Sequence, residues 1–587
     1  MFTHLPFRAI LSITLIFNLA AGPALLGAQQ APADVPSMTI RTNTRLVMVD
    51  VVVTDKKGQP IAGLKAEDFT VEENGKKQKV SVFAPPVAAG GQPQTPVPPG
   101  VLSNHPEHVG PAGPPTVLII DAANSSFSNQ AYARSQMLEY VQEQSGAGNS
   151  MAVVTLTDRL HVLQQFTTDP QVLMTAIKNF RPESQILQGA PPPPGTALAP
   201  DTGRPGGQLA GAIDAARSEV AAFANLQIGY NIERRTLITI DAMRSLTRML
   251  GGLPGRKNVV WLTADLPFDM IPEDRNMTDT ERDAELPGAG RQRSAALNGA
   301  GALAAESRQL YGQEIKDAES QLASASIAIY PVDLRGLVSG MESTARLSEA
   351  HSGDIHGAGL ANAALGRAGG MVSSQDTMRE VAAETGGKAY INQNEIKQGV
   401  ALAAADDKAS YSIGYYPENR KWDGKYRNIK VKVDQHDTEV RHRKGYFAVD
   451  VTQEKPNYDQ DVAGVLMFNS PATQVSFMAQ AKPIDPGKLR VVFIVDARTL
   501  SAEDSGGSKK MKVTLYATIF GADGKMVASN TNKIDQTFDA ATYQKILDKG
   551  MMVFVDLDAP ATGKQLRLAV LDGKTGFIGS ASGPVNQ

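Results

Sequence analysis

The chain contains no cysteine, which excludes thiolate chemistry, and the side chains considered for catalysis or metal binding are carboxylates and histidines. Two adjacent carboxylate pairs, Glu72-Glu73 and Asp406-Asp407, are candidates for acid/base chemistry on a polysaccharide. Neighbouring residues on a strand point to opposite faces, so the first pair is poorly placed to act together. Neither Gly-x-Ser-x-Gly nor His-Glu-x-x-His occurs in the sequence. We predict that the chain is not an enzyme, and a secreted enzyme with an unrecognised site is the weaker alternative.

The histidines do not form a convincing metal site. His105 and His108 lie in a proline-rich stretch where the pattern predicts no helix, so we expect them to be solvated linker residues. His351 and His356 lie in a glycine-rich loop near Asp354, where chance explains the spacing better than metal binding does.

The amino terminus has the pattern of an export signal. Arg8 precedes an apolar run over 9–21, and small residues continue to Ala28. We predict a signal peptide over residues 1–28, cleaved after Ala28; a membrane anchor is the alternative, but the run is short for the roughly 20 residues that a span needs. The protein is then secreted, periplasmic or in the cell envelope, with no transmembrane span after cleavage.

The overall charge argues against nucleic acid as a partner. The 58 Lys and Arg residues against 61 Asp and Glu residues give a formal charge of −3. Such a balance provides no general attraction for a polyanion. We therefore expect a protein or an extracellular matrix or envelope component as the partner.

Two regions precede the central part of the chain. Residues 40–84 alternate apolar and polar positions, with turns at Lys57-Gly58 and Asn74-Gly75, and predict a small β-rich module. Residues 85–115 are crowded with Pro and Gly and predict an extended linker.

The central part, residues 116–405, has the pattern of an α/β domain. The apolar runs TVLIID (116–121), MAVVTLTD (151–158), NVVWLTAD (258–265) and SIAIYPVDL (326–334) alternate with helical segments. This order predicts a Rossmann-like fold, a mainly parallel sheet with helices on both faces. Long loop insertions are predicted near 182–208, 267–301 and 341–371.

Strands return after the α/β domain. Residues 406–450, with YSIGYYP and YRNIKVKV, predict a β-rich extension that completes the amino-terminal β module or sheet. Basic residues along this segment, including Lys430 and Lys432 on one strand face, are expected to form a solvated edge. Residues 455–587 predict a carboxy-terminal β-sandwich, so that immunoglobulin-like β modules flank the central domain.

Several stretches together carry a family resemblance. They are VVVTDKKGQPIAGLKAEDFTVEENGK (51–76), TVLIIDAANSSFSNQAYAR (116–134), LPGRKNVVWLT (253–263), AAETGGKAY (382–390) and IKVKVDQHDTEVRHRKGYF (429–447). The sequence resembles the von Willebrand factor A-like proteins, specifically a related bacterial group known mainly from Acidobacteria. The resemblance implies an exported protein whose Rossmann-like domain binds a protein or matrix, with no established enzymatic activity.

The resemblance also implies a metal-ion-dependent adhesion site at the carboxyl edge of the sheet. Such domains hold a divalent cation with Asp-x-Ser-x-Ser after the first strand, a Thr from a later loop and an Asp after the fourth strand. Asp121 and Ser125 match the first motif, whereas Ala123 replaces its middle serine. Asp265 is displaced by one position from the usual Thr-Asp-Gly pattern. The site is degenerate, with Asp121, Ser125 and Asp265 as its candidate metal ligands.

Two interpretations of this site stay open. The threonine ligand is not assigned, because Thr236 and Thr239 lie in a stretch with helical spacing. Mg²⁺, or Mn²⁺ or Ca²⁺, would bind weakly or not at all, since a small hard cation needs a nearly complete set of oxygen ligands. Alternatively, Asp121 only caps the following helix. The leading hypothesis is an exported, non-catalytic binding module whose degenerate site gives it at most a weak dependence on a metal ion. The alternative is an envelope scaffold that needs no metal.

Overall fold

The computed structural model describes residues 46–86, 95–109, 114–143, 150–182, 230–267, 311, 314–315, 317–336, 374–393, 396–449 and 458–585. Strands and helices are numbered here in chain order within these ranges. Of the helices described, none is long and apolar enough to cross a membrane.

The amino-terminal and central strands are β1 Val47–Asp55, β2 Phe69–Glu73, β3 Lys76–Gln78, β4 Val80–Ala84, β5 Val101–Ser103, β6 Thr116–Asp121, β7 Met151–Leu156, β8 Leu160–Thr167, β9 Lys257–Thr263 and β10 Ile327–Asp333. The later strands are β11 Ser410–Tyr415, β12 Tyr426–Val433, β13 Thr438–Arg441, β14 Gly445–Phe447, β15 Phe477–Asp485, β16 Lys488–Val495, β17 Glu503–Ser505, β18 Ser508–Gly521, β19 Met526–Phe538, β20 Met551–Asp558, β21 Gly563–Asp572 and β22 Ile578–Pro584. The helices are α1 Pro106–Val109, α2 Phe127–Glu143, α3 Pro170–Asn179, α4 230–250, α5 317–324, α6 374–385, α7 Ile396–Asp406, α8 Tyr458–Phe468 and α9 Ala540–Lys549.

The central sheet has the strand order β10-β9-β6-β7-β8. Strands β6, β7, β9 and β10 run parallel, and β8 pairs antiparallel with β7 at one edge. The four parallel strands are buried along their whole length, which explains their continuous apolar runs. The structure confirms the predicted α/β class with a mainly parallel sheet.

Helices cover both faces of this sheet. Val117 and Ile119 of β6 pack on one side against a core shared with α4, α5 and α6. Leu118 and Ile120 pack on the other side against α2, α3 and α7. Successive side chains of a strand alternate between faces, so one apolar run supplies both cores. The chain is therefore wound on both sides of the sheet.

An amino-terminal sandwich is built from two sequence regions. One antiparallel sheet has the order β13-β1-β11-β4 and the other has the order β14-β12-β2-β3. Val49 and Val51 of β1, Tyr411 and Ile413 of β11, and Val431 of β12 share one core between them. Strands from residues 47–84 therefore pair with strands that follow the α/β domain in sequence.

The carboxy-terminal region also has two antiparallel sheets around one core. Their orders are β20-β16-β15-β5 and β17-β18-β21-β22, with β19 beside β18. Residues 85–115 were expected to be linker, but β5 from this segment pairs with β15. Asn104, directly after β5, holds this strand in place, because its side-chain amide donates to the carbonyls of Ala472 (2.9 Å) and Val475 (2.8 Å). Ladder and amide hydrogen bonds thus order part of the predicted linker.

Candidate functional site

Asp121 ends β6 at the carboxyl edge of the parallel sheet and is completely buried. Its Oδ1 accepts a hydrogen bond from the Asn124 backbone N–H (2.9 Å). Its Oδ2 accepts from the Asn124 amide (3.0 Å) and from the indole N–H of Trp261 (2.9 Å). Burial raises the pKa of Asp121 above its usual range, although these donors and Thr263 act in the opposite direction. Three N–H donors therefore face this carboxyl group.

Ser125 and Asp265 lie around the ends of β6 and β9 but have different partners. Ser125 is fully buried, and its Oγ accepts a hydrogen bond from the Ala264 backbone N–H (3.0 Å). This contact ties the loop after β6 to the end of β9. The Asp265 carboxylate instead pairs with the Arg235 guanidinium, 3.1 Å away. Asp121 and Ser125 each connect the end of β6 or its following loop to β9 or the residue after it, whereas Asp265 pairs with α4.

The hydroxyl groups of the two threonines considered as metal ligands form hydrogen bonds within helix α4. The Thr236 hydroxyl donates to the Ile232 carbonyl (2.9 Å), and the Thr239 hydroxyl donates to the Arg235 carbonyl (2.8 Å). Thr239 Oγ1 also accepts from the Asn124 amide (3.1 Å). Asn124 therefore bridges the loop after β6 and α4.

These residues do not fit a Mg²⁺ ion. A cation needs acceptor lone pairs directed at one point, but N–H groups of Trp261 and Asn124 are directed at Asp121. Asp265 is neutralised by Arg235 instead. The buried Oδ1 of Asn124 has no hydrogen-bond partner, yet one amide oxygen falls far short of an octahedral shell. Within the described ranges, no group of three or more His, Asp or Glu residues has a geometry suited to a metal.

A second acidic residue ends β10, the parallel strand that lies beyond β9 from β6. Asp333 of β10 is buried and pairs with Arg335 through two hydrogen bonds (2.8 and 2.9 Å). Gln375 of α6 donates to the same carboxylate (2.9 Å). The carboxyl edge thus contains buried acidic groups that are satisfied by protein donors.

The other candidates from the sequence also have structural partners. Glu72 pairs with Lys432 at the surface (2.9 Å), whereas Glu73 is buried and accepts from Tyr415 (2.8 Å) and Tyr446 (2.9 Å). The two carboxylates face opposite ways, as the strand geometry predicts. Asp406 accepts from Tyr330 and Arg441, while the side chain of Asp407 lies outside the described residues.

Two predictions about basic and histidine residues were wrong. His105 directly precedes a short helix, α1, and His108 lies within it; Pro106 starts this helix because its fixed φ suits the first helical position. His108 Nδ1 lies 2.7 Å from the Thr95 carbonyl oxygen. Lys430 and Lys432 are exposed on one face of β12, as expected. Arg427 of the same strand is instead buried against Glu73, because β12 lies inside the sheet between β14 and β2. His351, Asp354 and His356 lie outside the described residues.

Trp261 is a site residue that sequence reasoning missed, whereas Asn124 was considered only as a partial substitute for the missing serine ligand. Trp261 is the one aromatic residue of the buried strand β9, and a buried indole N–H requires an acceptor. The sequence therefore indicates that an acceptor lies near Trp261. It does not identify that acceptor, because the acceptor depends on the register between β6 and β9, in which Ile119 is opposite Trp261.

The fold and site together define a doubly wound α/β domain with a closed, hydrogen-bonded carboxyl edge. No protein-family model and no curated protein matches the chain. Among solved structures, an aerotolerance-related membrane protein from Bacteroides fragilis aligns at 13% identity over 50% of this chain and 100% of its own, with a TM-score of 0.21. A von Willebrand factor type A protein from Catenulispora acidiphila aligns at 7% identity over 93% of this chain and 75% of its own, with a TM-score of 0.20. TM-scores this low do not establish a shared fold.

Proposed function

We propose that this chain is an exported, non-catalytic binding protein of the von Willebrand factor A type that engages its partner without a metal ion. The partner is a protein or a matrix or envelope component, and the contact surface is the carboxyl edge of the central sheet. The observation that carries the proposal is the Asp121 carboxyl group, whose oxygens accept hydrogen bonds from Trp261 and Asn124 instead of facing outward.

Exposed apolar side chains support this choice of surface. Phe127 begins α2 directly after the loop that contains Asn124 and Ser125, and it is 56% exposed. Tyr230, in α4, is 61% exposed. Arg235 of the same helix pairs with Asp265, two residues after the end of β9. Large exposed aromatic residues beside a ligand-binding edge are typical of contact surfaces. Open α/β sheets bind at this edge for topological reasons.

The metal-dependent alternative makes a clear calorimetric prediction. We expect no binding heat when Mg²⁺ or Mn²⁺ is titrated into the purified protein, and the same result for an Asp121→Ala variant. Saturable heat in the wild type that is lost in the variant would overturn the metal-free proposal, because it would show that Asp121 ligates a cation.

The contact surface is tested by capture from envelope extracts. We expect the same partner to be recovered in Mg²⁺ and in EDTA, and Phe127→Ala to reduce its recovery. Val172→Ala is the matched control, because Val172 is an exposed apolar residue on α3, which begins at the opposite edge of the sheet. Equal loss in both variants, or recovery only with Mg²⁺, would contradict the proposal.

Export is tested on the intact protein. Mass spectrometry of the protein recovered from the envelope or medium is expected to find an amino terminus at Gln29. Recovery of the chain with residues 1–28 in the cytoplasmic fraction would refute this part of the proposal.

A further inference from the structure

The amino-terminal sandwich meets the α/β domain through the outer face of its sheet β13-β1-β11-β4. The odd-numbered valines of β1 point into the sandwich core, so its even-numbered residues point outward. In one outward row, Val52 lies between Ser410 of β11 and Arg441 of β13. In the next row, Asp50 accepts a hydrogen bond from Ser412 (2.5 Å). These residues are buried or half-buried because the α/β domain covers them.

The α/β domain covers this face where β9 begins. Arg256, directly before β9, donates to the Tyr330 hydroxyl (2.8 Å) and to the Gly386 carbonyl (2.7 Å). The Asp406 carboxylate at the end of α7 accepts from the Tyr330 hydroxyl (2.7 Å) and from Arg441 of the sandwich (2.5 Å). The two regions are therefore joined by a network of charged side chains.

Positive charge is in excess at this contact. Arg443, two residues after β13, donates to the neutral Met48 carbonyl (2.5 Å). The buried charged residues that interact here are basic Arg256, Lys257 and Arg443 and acidic Asp50 and Asp406. Half-buried Arg441 adds a further positive charge, whereas half-buried Glu384 accepts from the Tyr426 hydroxyl. Uncompensated charge is costly in a buried contact, so we expect a negative counter-charge to enter it.

Three hydrogen-bond donors at this contact have no partner among the described residues. They are the Nε–H of Arg443, the Nη1 amino group of Arg441 and the Ser410 hydroxyl, and all three atoms are inaccessible to solvent. Arg443 is 7% exposed and Ser410 is 8% exposed. A guanidinium group can only donate, and a hydroxyl group can donate as well. Buried polar groups in folded proteins are nearly always hydrogen-bonded, so this set requires an acceptor from outside the chain.

We propose that a chloride ion binds between Arg441, Arg443 and Ser410, where the amino-terminal sandwich meets the α/β domain. Chloride accepts hydrogen bonds and donates none, whereas a buried water molecule also needs acceptors for its own hydrogens. The charge of the ion offsets the positive excess. Sulfate or phosphate would bring more oxygen atoms than there are donors. The site lies at the amino edge of the central sheet and does not rest on the function proposed for the carboxyl edge.

The test is the chloride dependence of unfolding. The ion binds the folded chain and not the unfolded one, so chloride stabilises the fold by mass action. Urea unfolding of the full-length protein at pH 7 is followed by the fluorescence of Trp261 in β9 and Trp422 in the sandwich, while chloride replaces gluconate at constant ionic strength. Above the dissociation constant, each tenfold rise in chloride is expected to lower the unfolding equilibrium constant about tenfold. Equal stability in chloride and gluconate would overturn the proposal.

Two variants assign the effect to this contact. Ser410→Ala removes one donor with little change in shape, and we expect it to bind chloride about fivefold more weakly. Arg441→Met removes a donor and a charge and should abolish the chloride effect; Ser410→Ala alone decides if this variant does not fold. Arg498→Met is the matched control, because Arg498 pairs with Asp496 in the carboxy-terminal sandwich (2.9 Å) and its variant should keep the full effect. An unchanged chloride effect in Ser410→Ala, or an equal loss in Arg498→Met, would refute the assignment.

Bromide locates the ion directly, because it resembles chloride in charge and size and scatters X-rays anomalously. A crystal grown with sodium bromide is expected to show an anomalous peak within hydrogen-bonding distance of Arg443 Nε and Ser410 Oγ. A water molecule at that point, with no anomalous signal, would contradict the proposal.

Discussion

At the scale of single residues, Asp121 shows how a protein can hold a buried carboxyl group with its own donors. Trp261 and Asn124 supply N–H groups from β9 and from the loop after β6. The type and position of Asp121 could be predicted from the sequence, because a polar residue ended a continuous apolar run. Its partners could not, because they depend on strand register and on the loop conformation.

Removal of the Asp121 carboxyl group should destabilise the fold. Asp121→Ala leaves the Trp261 and Asn124 donors buried and unpaired, and we expect a loss of about 3 kcal/mol in unfolding free energy. Urea denaturation at neutral pH measures it, and the loss should be equal in Mg²⁺ and EDTA. Asp158→Ala is the control, because the Asp158 side chain is 52% exposed at the end of neighbouring β7. We expect its effect to stay within about 0.5 kcal/mol.

Lys257 should give the stability a distinct pH dependence. It is buried at the start of β9, and its ammonium donates to the Ala325 carbonyl (2.8 Å). Burial lowers the pKa of Lys257 from 10.5 to about 8. Between these values the unfolded chain binds more protons than the folded chain, so the stability of the wild type rises with pH across this window.

A methionine at this position removes that dependence. The lowered pKa of Lys257 means that keeping its buried ammonium charged at pH 7 reduces the unfolding free energy by about 3 kcal/mol. Lys257→Met should therefore be more stable than the wild type at pH 7, and the difference should shrink as the pH approaches 10. Chemical denaturation at both pH values measures it, with exposed Lys178→Met as the control. A difference that does not change with pH would show that Lys257 is not the titrating group.

At the scale of elements, the buried strands were the most predictable part. TVLIID, NVVWLTAD and SIAIYPVDL appear in the structure as β6, β9 and β10, because strands covered on both faces must be apolar throughout. β8 was not predicted, since its side chains are mostly half-buried at an edge. The pairing of β1 with β11 joins residues about 360 positions apart, and local sequence patterns do not specify such contacts.

The amino-terminal sandwich should fold without the α/β domain between its halves. Ala84 of β4 is opposite Ser412 of β11, so a short Gly/Ser linker can join residues 46–84 to residues 410–449. We expect this polypeptide to show a β-sheet circular dichroism spectrum and a cooperative melt. Residues 46–84 alone should be unfolded, because Arg427, Tyr415 and Tyr446, which satisfy the buried Glu73, lie in the second half. An unfolded joined polypeptide would mean that the sandwich requires its contacts with the α/β domain.

At the scale of the whole molecule, β5 and the loop after α4 are among the segments that attach the carboxy-terminal sandwich to the rest of the chain. β5 joins its sheet from the segment before the α/β domain. The loop after α4 meets Thr473, whose hydroxyl donates to the Met249 carbonyl (2.9 Å) and accepts from the Gly252 N–H (3.0 Å). Neither contact could be predicted from the sequence, because each joins distant segments by pairing one side chain, Asn104 or Thr473, with backbone groups that nearly every residue carries.

Gly252 tests whether the second contact couples the unfolding of the two regions. A Cβ atom at Gly252 would lie 1.8 Å from the Thr473 carbonyl oxygen, so Gly252→Ala must separate the loop from the sandwich. We expect calorimetry to resolve a separate transition for the carboxy-terminal sandwich and a loss of about 2 kcal/mol or more from the α/β domain. Gly464→Ala in α8 is the control, because nothing lies within 4 Å of the added Cβ, and alanine there should be neutral or stabilising. If Gly252→Ala unfolds like the wild type, the loop yields without cost, and other contacts such as β5 and the Arg248–Asp461 ion pair hold the sandwich in place.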